Sequence, residues 1–285
     1  MSKGYITIAQ NSEDIDYLEM SYALALSLKA SQENSNLCVC VDEETRKLIT
    51  DKHIQAFDAI VDIPWNDDAK GNKWKINNKW KYPHMTPYDE TIILDSDMIF
   101  TDSVDHWWDY LAKKDVWCCT NVKTFRNEDV TSDYYRKKFT QLNLPNIYSN
   151  FTYFKKSELT FEFFKMVELI MVHWNVYFDK FLSGVGQNWM SADVAYALAI
   201  QLLDIEAETC DYDIKDVPTF VHMKSMVQNI PENQIESNWT KSITSELGDD
   251  LQVKIGNFTQ TLPVHYVEKN WMDNSKIKQL EDAVL

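Results

Sequence analysis

Apolar and polar positions in the first hundred residues switch repeatedly between short β-branched runs and longer stretches at helical spacing. Residues 5–9, Tyr-Ile-Thr-Ile-Ala, form a strand-like run that Gln10, Asn11, Ser12, Glu13 and Asp14 break with turn and cap chemistry. From Tyr17 to Ala30 there is no Gly or Pro, and Leu18, Tyr22, Ala25, Leu26 and Leu28 predict an amphipathic helix packed on a sheet. The same reading gives a strand at 36–41, a helix at 43–52, a strand at 59–63, a short helix at 80–88 ended by Pro87, and a strand at 90–94. An alternation of this kind predicts an α/β fold with a parallel sheet and crossover helices, whose ligands lie beyond the carboxyl ends of the strands.

Further along, the pattern predicts a helix at 104–113, strands at 115–120 and 150–155, and helices at 160–182 and 191–203. Phe161, Phe164, Val167, Ile170, Met171 and Trp174 read as core positions of the long helix. Ser183-Gly184-Val185-Gly186-Gln187 precedes the second, for which Ser191 or Asp193 is a candidate cap. Between them, 121–149 is polar, aromatic and basic, with Phe125, Arg126, Tyr134, Tyr135, Arg136 and Lys137, and reads either as a substrate lid or as a surface excursion. Two similar strand-like segments near the end, 219–224 and 262–269, each carry a histidine, His222 and His265.

Composition narrows the class. At 285 residues and 45% hydrophobic the chain can bury one large core. No apolar run approaches membrane-spanning length, and the N-terminus enters a strand without a signal-peptide pattern, so a cytoplasmic protein with no integral membrane segment is expected. Five cysteines without Cys-x-x-Cys spacing read as reduced core thiols. A net charge of −16 opposes broad adhesion to nucleic acid or anionic membranes. Lys70, Lys73, Lys75, Lys79 and Lys81, interleaved with Trp74 and Trp80, nevertheless offer a local basic groove or simply a solvated face.

The candidate chemistry lies at 92–100, where Ile-Ile-Leu leads into Asp95-Ser96-Asp97 and the apolar run then resumes. With 27 aspartates, chance alone supplies about as many Asp-x-Asp triplets as the three present, so context decides. Asp14/Asp16 and Asp211/Asp213 lie in polar surroundings and read as solvated loops or helix starts. Asp95 and Asp97 follow a buried strand, where charge is costly without a partner. Two apart in extended chain, they can converge on one ion, and hard oxygen ligands suit Mg²⁺ or Mn²⁺.

The order of these parts resembles the GT-A-fold glycosyltransferases, most closely glycosyltransferase family eight, which includes glycogenin and the lipopolysaccharide galactosyltransferases. The resemblance spans most of the chain. Ile6-Thr7-Ile8-Ala9-Gln10-Asn11, Tyr17 and Ser27-Leu28-Lys29 are similar to the family's nucleotide-binding strand, tyrosine and helix end. Lys79, sixteen residues before Asp95, and Leu94-Asp95-Ser96-Asp97 resemble its lysine and metal motif. Asn150 opens the counterpart of its Asn-(Ser/Thr)-Gly strand, with Phe151 and Thr152 in place of the Ser-Gly pair. Asp193 resembles the aspartate of its Asp-Gln motif, with Val194 for glutamine. His265, Lys269 and Trp271 resemble its closing histidine, lysine and tryptophan, with Asn270 for proline; His222-Met223-Lys224 competes for the histidine role.

This resemblance implies a single GT-A (Rossmann-like) domain with a mixed, mainly parallel central sheet flanked by helices. Residues 1–120 would form the nucleotide-sugar half, and 121–285 the acceptor half and C-terminal metal-ligand segment. It implies a metal-dependent transferase moving a sugar from a nucleoside-diphosphate sugar, a UDP-sugar by analogy, to a hydroxyl acceptor with retention. Asp95, Asp97 and His265 (or His222) would hold Mn²⁺ or Mg²⁺. Ala9, Gln10, Asn11, Tyr17, Lys79, Ser96 and Lys269 would bind the donor, and Asp193, Asn150 and Lys79 would act at the sugar. The acceptor is left open among glycan, glycolipid, protein side chain and hydroxylated DNA base. Two other readings stand beside it. One is a haloacid-dehalogenase-like phosphatase with Asp95 as nucleophile and Gly248-Asp249-Asp250 as its later motif. The other is a catalytically silent nucleotide-sugar-binding module.

Overall fold

The computed structural model describes every residue except 73, 131–135, 185–187, 213–216, 226–238 and 267. Lys73, Tyr134, Tyr135, Val185, Gly186, Gln187 and Asp213, named above, therefore lie outside the described residues. The N-terminal alternation becomes β1 (Lys3–Ala9), α1 (Tyr17–Ser31), β2 (Leu37–Val41), α2 (Glu43–Arg46), α3 (Asp51–Ala56) and β3 (Ala59–Asp62). Asp16 opens α1 by accepting from the Glu19 N–H. Leu18 and every residue from Met20 to Leu28 are buried, so this helix is covered all round rather than amphipathic. Its outer side meets the C-terminal helix, where Tyr22 Oη donates to Glu281 at 2.9 Å.

The helix expected at 43–52 is two helices. Asp42 caps the first through Thr45 N, and the second starts afresh at Thr50, whose N–H donates to His53 Nδ1 at 3.0 Å. β-Branched Ile49-Thr50, followed by Asp51, is a start signal that outweighs continuation. A 3₁₀ turn at Lys79–Lys81 leads into α4 (Tyr82–Met85), then β4 (Glu90–Leu94), β5 (Met98–Ile99), α5 (Trp107–Leu111), β6 (Val116–Cys119), α6 (Lys137–Gln141) and β7 (Tyr148–Lys155). The long helix expected at 160–182 begins earlier, capped by Ser157, as α7 (Glu158–Val172). It breaks at His173 (φ −108°, ψ 34°) before α8 (Trp174–Tyr177) and a wide π turn. α9 (Ala192–Leu203) and α10 (Glu206–Thr209) follow.

The central sheet has the order β3-β2-β1-β4-β7-β6, with β1 to β4 mutually parallel and β7 antiparallel to both its neighbours. It is thus mixed and mainly parallel, flanked by helices. Alternation along the strands divides the interior into two layers. Tyr5, Leu37, Val39, Ile92 and Leu94 join α1 on one face, while Ile6, Cys38, Cys40 and Ile93 join α7 and α9 on the other. All five cysteines are free and buried. Because β2 and β3 lie on one side of β1 and β4 on the other, the carboxyl ends of β1 and β4 flank the topological switch point.

Two small sheets complete the chain, built from β8 (Val221–His222), β9 (Ser245–Leu247), β10 (Val253–Ile255), β11 (Phe258–Thr259) and β12 (Val264–His265), before α11 (Asn274–Val284). β12 lies between β5, antiparallel, and β8, parallel, so His265 is in register with both Met98 and His222. Gly248-Asp249-Asp250 forms the tip between β9 and β10, where Asp249 and Asp250 are exposed. Asp211 is not the solvated loop carboxylate expected. It accepts from Tyr110 Oη, from Trp117 Nε1 at 3.0 Å and from Lys114 Nζ at 3.1 Å. Among the described residues, no helix is long and apolar enough to cross a membrane.

Candidate active site

β4 ends at Leu94 and delivers Asp95 and Asp97 to the crevice beside the end of β1. The β12 ladder brings His265 to the same place: it pairs with Met98, and the next N–H, of Tyr266, donates to Asp97 O at 3.0 Å. One ligand atom each from Asp95, Asp97 and His265 can lie within 4.8 Å of the others. His265 Nε2 stands 3.0 Å from Asp97 Oδ2, the carboxylate oxygen that also accepts from Lys269 Nζ. Lys79 Nζ donates to Asp95 Oδ1 at 2.5 Å. Two carboxylates and an imidazole fit a hard divalent cation, and two ammonium groups already reach the carboxylates from the sides.

Electrostatics follow from burial. Desolvation alone pushes the Asp97 carboxyl up, but His265 and Lys269 outweigh it and hold the group far below the usual carboxylate range. Burial pulls Lys269 down, and Asp97 more than reverses this, so it stays charged. His222, the competing ligand, lies beside the cluster, its ring 5.1 Å from that of His265 and its Nδ1 3.0 Å from Ser225 Oγ. Burial, and then His265, push it well below the usual histidine range, which keeps it neutral. Asn150 Nδ2 meets His265 Nδ1 at 3.0 Å. With the amide nitrogen there, Nδ1 accepts and Nε2 carries the ring proton toward Asp97. Ligation through Nε2 needs the other tautomer, which the same amide supports once its oxygen faces Nδ1.

A cavity of about 320 Å³ opens over this cluster. Of the residues expected at the donor, Tyr17, Lys79, Ser96 and Lys269 line it, and Lys269 Nζ lies 5.8 Å from the Tyr17 ring. Ala9, Gln10 and Asn11 are not among the lining residues. Gln10 is buried, its amide nitrogen donating to Asp42 and Asp67 and its oxygen accepting from Asn78. Asn11 ties the loop to α1, accepting from Leu18 N and donating to Asp16, each at 2.9 Å. The β1 wall comes instead from Thr7 and Ile8, and the Thr7 hydroxyl is buried without a hydrogen-bond partner among the described residues. Sequence reasoning missed this contact, although strand alternation places Thr7 two positions before Ala9.

The basic segment is not one groove. Lys75 and Lys79 face the cavity, whereas Lys81 is buried and braces the loop through Asn66 O, Asn78 Oδ1 and Asp68. Lys70 is exposed. Trp74 lines the cavity, while Trp80 turns away and stacks on Trp65, ring centres 5.8 Å apart and 8° from parallel. Asp193 sits in the first turn of α9, just behind the site. It accepts from Ser149 N at 2.9 Å, Ser149 Oγ at 2.6 Å and Arg136 Nη1 at 2.7 Å. Burial raises its carboxyl, and Arg136 and Ser149 together draw it below the usual range. Arg136 is clamped in turn between the rings of Tyr148 and Phe139, at 3.9 and 4.0 Å. In the sequence, Arg136 stood out only as part of a basic, aromatic region; its partnership with Asp193 needed the fold.

One solved structure shares this architecture over nearly the whole chain. The apo form of mouse xyloside xylosyltransferase 1 aligns over 96% of this chain and 100% of its own, with a TM-score of 0.54 at 11% identity. The glycosyltransferase GlyE of Streptococcus pneumoniae TIGR4 aligns, in its apo form and in a second structure, over 75% of this chain and 46% of its own. Its TM-scores are 0.39 and 0.44, at 11% and 10% identity. No protein-family model and no curated protein sequence matches the chain. The likeness is one of fold: this chain has the mixed α/β fold of a glycosyltransferase, with a candidate Asp-Asp-His metal site at its switch point.

Proposed function

We propose that this protein is a divalent-metal-dependent glycosyltransferase of the family-eight kind, moving a sugar from a UDP-sugar to a hydroxyl acceptor with retention at the anomeric carbon. The observation that carries the proposal is the Asp95, Asp97 and His265 set, flanked by Lys79 and Lys269, beneath a cavity at the sheet's switch point. A bound Mn²⁺ or Mg²⁺ supplies positive charge against the departing diphosphate. Lys79 and Lys269 add two fixed charges at the same place and cost no reorganisation as negative charge develops. Tyr17 offers a ring wall to the base, and the unpartnered Thr7 hydroxyl offers it a hydrogen bond. Ala9, Gln10 and Asn11 act by shaping the loop that follows β1.

Asp193 is held ionised by Arg136 and Ser149 and supplies the negative charge that orients sugar hydroxyls or stabilises positive character at the anomeric carbon. Asn150 sets the His265 ring. We assign donor binding to residues 1–120, and acceptor binding and the closing histidine–lysine segment to 121–285. The phosphatase reading loses its second motif, because Gly248-Asp249-Asp250 is a hairpin tip. The test is release of nucleoside diphosphate from a panel of nucleotide sugars with Mn²⁺ and no acceptor, beside Asp97→Asn. Metal-dependent hydrolysis of one donor, lost in the variant, supports the proposal. Absence of both hydrolysis and donor binding across the panel refutes it.

A further inference from the structure

Two strands in parallel register bring a histidine each to the cavity, His265 on β12 and His222 on β8, and each is followed by a lysine that also lines it, Lys269 in the 3₁₀ turn Lys269–Trp271 and Lys224 just past β8. The first arm, His265 with Lys269, is committed to Asp97. The second is not. Lys224 is exposed at the cavity and has no carboxylate partner among the described residues. His222 Nδ1 faces Ser225 Oγ at 3.0 Å; when it accepts that hydroxyl, Nε2 carries a proton and has no protein acceptor among the described residues.

Charge balance shows what this arm is for. Four lysines, Lys75, Lys79, Lys224 and Lys269, line the cavity against two aspartates. A divalent ion matches the two carboxylates, and the two charges of a sugar-bearing diphosphate match Lys79 and Lys269. Lys75 donates to Ala69 O at 3.2 Å and feels Asp67 beside it. Of these four, Lys224 alone has no compensating charge among the described residues, in a chain of net charge −16 where positive potential is otherwise scarce. We propose that His222 and Lys224 form a subsite for a phosphate group carried by the acceptor, which makes the acceptor a phosphate-bearing hydroxyl compound. An imidazole N–H and an exposed ammonium suit a tetrahedral phosphate as point contacts, and neither supplies the planar fork that favours a carboxylate.

This inference rests on the donor reading above, and the experiment separates the two. UDP is first titrated calorimetrically, with Mg²⁺, into the wild-type protein and Lys224→Gln. Methyl phosphate and dimethyl phosphate are then titrated into each UDP-loaded protein and followed by ³¹P NMR. We expect UDP affinity within about twofold in the two proteins, and methyl phosphate binding weakened at least about tenfold in the variant. Preference for methyl over dimethyl phosphate identifies a monoester acceptor, and the reverse identifies a phosphodiester such as a nucleic-acid backbone; either supports the subsite. Failure of both probes to bind the UDP-loaded wild type overturns it, as does binding that is equally tight in Lys224→Gln. So does a tenfold or greater loss of UDP affinity in Lys224→Gln, because the arm then serves the donor. If UDP does not bind the wild type, the donor reading falls and takes this proposal with it.

Discussion

Replacing Asp97 by asparagine keeps the side-chain shape and removes one buried negative charge. In the native chain that carboxylate accepts from His265 and Lys269, and Lys269 is itself only 28% exposed. Taking away one partner of a buried pair leaves the other charge uncompensated and costs about 3–5 kcal/mol. At about 2 °C per kcal/mol for a chain of this size, the melting temperature should fall by roughly 6–10 °C. The ion site also loses one of its three protein ligands. Wild-type protein should gain about 2.7 kcal/mol of stability at an Mn²⁺ concentration a hundred times its dissociation constant, and Asp97→Asn should gain almost none. Differential scanning calorimetry with and without Mn²⁺ measures both effects. The double variant Asp97→Asn/Lys269→Met, which removes the stranded ammonium as well, should recover part of the loss, a coupling of about 0.5–3 kcal/mol. An Asp97→Asn protein that melts with the wild type and keeps the Mn²⁺-dependent rise would refute the reasoning.

Three further outcomes are expected. Asp97 and Asp193 both titrate lower in the folded chain than in the unfolded one, so their stabilisation is complete above the ordinary carboxylate range, about 4, and is lost as pH falls through their lower folded values. Urea midpoints should therefore be insensitive to these groups between pH 5 and 8 and decline below about pH 4, less steeply in Asp97→Asn. Ser149→Ala removes a 2.6 Å hydrogen bond to the Asp193 carboxylate and should cost about 1.5–3 kcal/mol in urea unfolding, with slower donor hydrolysis; an unchanged rate would separate Asp193 from the chemistry. Gly4→Ala places a Cβ 2.3 Å from the buried Tyr88 ring, whose hydroxyl is pinned to Asp58 at 2.8 Å. It should destabilise the protein by about 1–3 kcal/mol while leaving UDP affinity at the wild-type value, as calorimetry can check.

Much of this fold is written in local pattern. β-Branched runs, the turn and cap residues after β1, and the β-α-β-α-β order are properties of neighbouring residues, and they predict the sheet and the placement of Asp95 and Asp97 at a strand end. The split at Thr50 was also locally encoded, in a start signal masked by continuing apolar spacing. What the chain could not show by itself depends on long-range pairing. Whether α1 is amphipathic or enclosed depends on α11 arriving some 250 residues later, as the bond from Tyr22 to Glu281 shows. Gln10 and Asn11 resembled donor contacts in sequence, but the hydrogen-bonding needs of a buried amide and a helix start claim both side chains.

The two histidine segments could be ranked from sequence only against each other. The β5-β12-β8 ladder brings both to one cavity and sets His265, not His222, against Asp97. Asp95 and Asp97 at a strand end were thus legible from residue type and spacing, because alternation in extended chain is a local rule, whereas Lys79 and Lys269 were picked out only by the family resemblance. Which imidazole meets them, which guanidinium holds Asp193, and which cavity lysine has no carboxylate partner among the described residues were decided by tertiary structure, because strand register and burial set those distances between residues 57 to 168 positions apart.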